Sequence, residues 1–481
     1  MMTMNIPMKT KIKTLILAGL CLGTASCTHN FDEINTNPNL IDQISPGTLV
    51  NEIIYNMAAN NLTNHYNVNC QLMQVQLPYP AYYGGTQRYQ ILETTGDSQW
   101  NAAYRWAKNV REMRTAAEAD DSNNYLAIAL TLNAWIYSNL TDTFGNVPFT
   151  EASQAEEGTI QARYDEQEAI YTQLLADLET ANNLYDHQQT MDYGIDILFE
   201  NKSEHWQKFT NSLRLRLLLR ISDVRPTAYS ELKAILDDPA GNPIIAEASE
   251  SAILPVTGIT PNLSPWSRAL DFSNQHAVGE FFIETLNSLE DPRRPIYVGK
   301  ATRNAVDIGY KGIPSGYDES SFDYSPSYMN NQQVVAPMII PILTYAEVEL
   351  IQAELAQKGH WTDAEKHFKQ GIQAAVELWT GTPLPSAYFD QELAQYDGTL
   401  ERIMLHKYLA LYFTDNQQWA EHRRTGYPVL PTTSSMLNDG KLPSRLLYPS
   451  LQPVYNPANY EAAAASMGGD DINSKVWWDI N

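Results

Sequence analysis

Apolar residues recur at three- and four-residue spacing in several windows of the chain, and each set therefore shares one side of a helix. The windows come in pairs. Trp100, Tyr104, Ala107, Val110 and Met113 predict one helix, and Leu126, Ala129, Ala134, Tyr137 and Leu140 predict the next, with the polar run 120–123 between them. Ile170, Leu174, Leu178 and Ala181 share a face, as do Phe209, Leu213, Leu217 and Ile221, with a longer insert around Tyr193 separating them. In the third pair, Leu350, Ala353, Leu355 and Ala356 mark a helix that Gly359 stops, and Ala364, Phe368, Ile372 and Ala375 mark its partner. The fourth runs through Leu400, Ile403, Met404, Tyr408 and Tyr412 and on through Trp419.

Helices of this length cannot bury an amphipathic face alone, and small residues near the turns let paired backbones approach closely. The expected fold is all-α, with about four tetratricopeptide-like helix pairs. Their spacing is too irregular for a tandem array. Residues 226–335 are rich in Pro, Gly, Ser, Asn and Tyr, with short helices at most near 278–289, and read as an inserted loop-rich subdomain. The Pro-rich stretch 425–469 closes the C-terminal part.

The N-terminus carries a different pattern. Lys9, Lys11 and Lys13 precede the short apolar run 15–22, and Thr24, Ala25 and Ser26 stand directly before Cys27. A basic start, an apolar run too short to span a bilayer and small residues at the cut describe a secretory signal, here residues 1–26. A cysteine at the next position reads as a bacterial lipoprotein site, with Cys27 acylated and the mature chain outside the cytoplasm. Residues 27–39, rich in Asn and containing Asn37-Pro38, read as a lipid-anchored tether, leaving 40–481 as a single domain.

The formal charge of -24 becomes more negative still when the signal's lysines leave. Such a chain repels phosphate backbones and anionic head groups, so nucleic-acid binding and purely electrostatic membrane attachment are disfavoured. Of the 3 cysteines, Cys21 leaves with the signal and Cys27 takes the lipid. Cys70 remains without an intramolecular partner and reads as a small buried residue.

No phosphate-loop glycine pattern, His-Glu-x-x-His or Cys-x-x-Cys occurs, and neither a cofactor nor a metal is implied. His360 and His367 could share a helix face, but two nitrogens do not close a metal site, and they read as solvated surface. With 56 carboxylates, acid pairs for glycoside hydrolysis can be drawn almost anywhere and carry no information. Arg216, Arg220 and the pair Arg423-Arg424 read as structural partners of core carboxylates.

In chain order, Phe31 to Asn39, Trp100 with Tyr104, Thr141-Asp142-Thr143-Phe144-Gly145-Asn146, Ile170-Tyr171, Trp206 to Arg216, Asp291-Pro292-Arg293, Ala353-Glu354, Arg423-Arg424-Thr425-Gly426-Tyr427-Pro428 and Trp477-Trp478-Asp479 make the sequence resemble, end to end, the SusD/RagB family of surface nutrient-binding lipoproteins, in its SusD-like branch. The resemblance implies a helical fold with four tetratricopeptide-like pairs. It also implies a partner, a TonB-dependent outer-membrane β-barrel of the SusC type, on which such a protein sits as a lid that captures an oligosaccharide or peptide for import.

Relatives in that family bind with aromatic side chains on loops away from the helix pairs, and this chain has 28 Tyr and 10 Trp. A tyrosine ring covers an apolar sugar face while its hydroxyl hydrogen-bonds at the edge. The richest loop is 78–89; further clusters hold Trp266 with Phe272, and Tyr317, Tyr324 and Tyr328. Tyr82, Tyr83, Arg88, Trp266, Tyr324 and Tyr328 are the candidate contacts, whereas Trp135, Trp477 and Trp478 read as packing residues. Two rival readings are a surface glycan-degrading enzyme with an unseen carboxylate pair, and a scaffold with a concave groove lined by successive helix pairs.

Overall fold

The computed structural model describes residues 45–80, 85–317 and 322–481. Cys27, the signal, the tether, Tyr82 and Tyr83 lie outside them. Residues 45–481 form one compact unit.

The longer helices are α1 (Pro46–Asn64), α2 (Asp97–Ala119), α3 (Asn123–Phe144), α4 (Gln167–Leu184), α5 (Ser203–Arg220), α6 (Ala228–Asp237), α7 (Glu280–Ser288), α8 (Tyr345–Gln357), α9 (Ala364–Thr380), α10 (Leu400–Ala410), α11 (Gln417–Thr425) and α12 (Pro457–Ser466). The strands of three residues or more are β1 (Gln76–Pro78), β2 (Ala252–Val256), β3 (His276–Val278) and β4 (Met338–Leu343). Each of the first five helices packs on the next, while α8 packs on α9 and α10, and α10 on α11. The fold is therefore all-α with tetratricopeptide-like pairs.

Local sequence explains the cleanest pair. The Thr344 side chain accepts from the Glu347 amide and caps α8, and past its far end Gly359 adopts φ +81°, a conformation that costs glycine little. The close approach falls at Gly371 of α9, where a Cβ would come within 2.6 Å of Leu350.

Three helices depart from the sequence reading. Val50, Ile53, Ile54, Met57, Ala58 and Leu62 bury one face of α1, which then runs through the wider turn His65–Asn69 to Leu72. Its many asparagines are poor helix formers, and packing against α2 overrides that preference. The stretch 226–335 begins with α6, whose Leu232, Ile235 and Leu236 are buried, and 425–469 contains α12.

Between the helix packs lies a buried ionic network. Arg216 makes a two-pronged contact with Glu347 at 2.7 and 2.6 Å. Arg220 reaches Asp142 at 2.8 Å and Glu421 at 2.9 Å, and Arg424 holds Glu354 and Glu421, each at 2.6 Å. Lys407 adds a contact to Glu421 at 2.8 Å. Asp142 also accepts from the Tyr171 hydroxyl at 2.6 Å and the Trp478 indole at 2.8 Å. Burial alone would raise Glu354, but Arg424, with Lys358 and Lys407, holds it down at about 2.

Arg423 differs from the expected carboxylate partner. It donates to the Asp142 and Ser444 carbonyls and lies over the Trp419 and Trp478 rings at 3.9 and 4.8 Å, and burial pushes its guanidinium down to about 10. His360 is exposed and stacks on Tyr229, whereas His367 is half-buried and pairs with Glu349 at 2.8 Å. Cys70 is fully buried, and burial raises its thiol well above the usual range.

Candidate ligand-binding site

Backbone pairing assembles the site from three distant segments. β1 runs antiparallel to β3, placing Leu77 opposite Ala277 and Pro78 opposite His276. Ala277 in turn bridges to Tyr328, and the Val278 amide donates to the Ser327 carbonyl at 2.9 Å. Leu77, Ala277, Ile313 and Tyr317 form a small separate core beneath, against which Tyr79 and Phe322 pack. This platform fixes the rings. Tyr79 stacks on Phe322 at 6.1 Å, Phe322 meets Tyr317 and Tyr324 at 5.3 Å each, and the Tyr317 hydroxyl donates to the Pro78 carbonyl at 2.6 Å.

Above it opens a groove of about 440 Å³, walled by Tyr79, Tyr328 and Leu270 and edged by Asn274, His276 and Asn331. Ser273, Gln275 and Ser325 add further polar atoms. Tyr328 is 55% exposed and Leu270 61%, so both offer apolar surface to a visitor. Burial lowers the His276 imidazole, which keeps it neutral at neutral pH. The arrangement can cover a flat, partly apolar face with rings and hydrogen-bond its polar edge with amides and hydroxyls.

The candidate contacts separate. Tyr328 lines the groove. Tyr324 stands behind it, donating to the Gly312 carbonyl at 2.8 Å beneath the Lys311 ammonium. Trp266 is half-buried edge-on against Tyr66 and Phe272, in the segment that continues to Leu270. Arg88 donates its Nε to the Ser435 carbonyl at 2.7 Å and ties down the C-terminal loop. Tyr79, His276 and Asn331 were not singled out from sequence; only the strand pairing brings them together. Trp135 and Trp478 are buried, donating to Asp415 and Asp142. Trp477 is half-buried beside Tyr171.

A second groove lies among α2, α3, α4 and the turn at Phe149 to Gln154, with Arg111 and Arg114 on its wall paired to Glu157 and Glu118. Among the described residues no group of acidic, histidine or cysteine side chains is arranged to hold a metal ion, and no helix is long and apolar enough to cross a membrane.

Residues 38–449 match a SusD-like family model described as starch-binding and associating with the outer membrane. No curated protein matches the sequence. Among solved structures, a chitin-binding protein is 23% identical with a TM-score of 0.78, covering 91% of this chain and 100% of its own. A SusD-like protein described as Bacteroidetes AC2a is 21% identical with a TM-score of 0.78 and the same coverage. A SusD homologue from Bacteroides thetaiotaomicron is 22% identical with a TM-score of 0.74, covering 91% and 100%.

Proposed function

Because the chain belongs to the SusD-like family of starch-binding proteins that associate with the outer membrane, we propose that it is a cell-surface lid that captures oligosaccharides in the Tyr79–Tyr328 groove and hands them on chemically unchanged. A lipid on Cys27 holds it to the outer membrane, and a SusC-type TonB-dependent barrel receives the ligand. The groove itself carries this reading. It pairs the exposed Tyr328 ring and the half-buried Tyr79 ring with amides and hydroxyls, the chemistry that fits the alternating apolar faces and hydroxyl edges of a sugar chain. Glycoside hydrolysis needs two placed carboxylates, and among the described residues none lines this groove.

Purification from the native membrane in mild detergent tests the assembly. A β-barrel transporter should co-purify with the chain, and palmitate should be incorporated at Cys27. Recovery of the chain alone, without acyl label, would remove both the lid and its anchor.

A further inference from the structure

Ligand charge is the property on which the groove is most explicit. Among the described residues, none of the side chains lining it is an acid, a lysine or an arginine. Three ion pairs stand on neighbouring turns: Arg268 with Asp271 at 2.7 Å, Arg303 with Asp323 at 3.0 Å, and Lys300 with Asp307 at 2.7 Å. Lys311 is spent over the Tyr324 ring, 4.6 Å from its centroid.

Around this uncharged patch the whole chain carries -24, a field that disfavours anions at any site lacking its own cation. A uronate or sulfate entering the groove would lose hydration and meet no counter-charge among the described residues lining it, which is costly. A cationic sugar would be drawn to the protein but find no carboxylate among the described residues lining the groove to order it.

Resting on the reading of this groove as a glycan site, we infer that it selects uncharged oligosaccharides and discriminates against acidic ones. Recognition comes from ring stacking on Tyr79 and Tyr328 and from neutral donors and acceptors such as Asn274 and Asn331. Its affinity is then nearly independent of salt, unlike that of a charge-reading site.

Calorimetry on the soluble chain lacking the lipid tests this with cellohexaose and maltohexaose as neutral probes, hexagalacturonate as the anion and a glucosamine hexamer as the cation. At least one neutral probe should bind, lose most of its affinity in Tyr328→Ala, and change less than about twofold between low and high salt. Hexagalacturonate should bind at least about tenfold more weakly, and Asn331→Lys should narrow that gap. Tighter binding of a charged hexamer, abolished by Tyr328→Ala, would overturn the neutrality inference and leave the glycan site standing. Binding of peptides but of no saccharide would overturn the glycan reading, and this inference with it.

Discussion

The Tyr328 ring lies over the backbone of Gly299: a Cβ at that glycine would come within 2.5 Å of the ring's Cζ, and the Gly299 amide donates to the Tyr328 carbonyl at 3.0 Å. The missing side chain is what lets an exposed ring lie in place at the groove wall. Gly299→Ala should displace the ring while leaving the fold intact, because the ring is the mobile end of an exposed side chain. Oligosaccharide affinity should fall several-fold with the melting temperature nearly unchanged, measured by calorimetry alongside a thermal melt.

Removing a groove ring outright tests the same contact directly. Each of Tyr79→Ala and Tyr328→Ala deletes one stacking surface, worth about 1 kcal/mol or roughly fivefold in affinity. Trp266→Ala should act differently. Its ring packs on Tyr66 and Phe272, so melting temperature should drop more than affinity.

Arg424 holds Glu354 and Glu421 at once, in a site closed to solvent. Arg424→Leu takes the two-pronged partner from Glu354 and leaves Glu421 with Arg220 and Lys407, and removing one partner from a buried pair destabilises by about 3–5 kcal/mol. Denaturant titration should show the loss as a lower midpoint. Glu231→Gln, on the half-exposed pair with Arg225, should change stability by less than about 1 kcal/mol.

His65 and His406 are buried, and burial pushes both down to about 4. The unfolded chain takes up those protons near pH 6.5, whereas the folded chain resists until pH 4. Stability is therefore complete above about 6.5 and falls with acid, at up to about 1.4 kcal/mol per pH unit for each histidine. Glu354 extends the loss below pH 4.5, as its depressed carboxyl is finally protonated. Melting temperature should be flat near neutrality and decline steadily from pH 6.5 to 4. His406→Asn should shallow that slope.

Helix pairing was readable because the stripes through Ile170, Leu350 and Phe368 are continuous and the intervening turns polar. α1 carries the same stripe at Val50, Ile53, Met57 and Leu62, but its asparagines are poor helix formers and local preference does not report it. The ionic role of Arg216 and Arg220 followed from arginines set among leucines. The groove could not be read in the same way: Tyr79, His276 and Tyr328 are far apart in sequence, and only the β1–β3 pairing with the Ala277–Tyr328 bridge joins them. Periodicity reports which residues are buried, and aromatic content reports which loops can stack. Neither reports which loops meet.

The most direct test of a groove that binds sugar without altering it is calorimetric titration with a neutral hexasaccharide, followed by mass analysis of the recovered ligand. The account predicts saturable binding, loss of that binding in the Tyr79→Ala, Tyr328→Ala double variant, and return of the intact hexasaccharide. Shortened products, or undiminished affinity in the double variant, would contradict it.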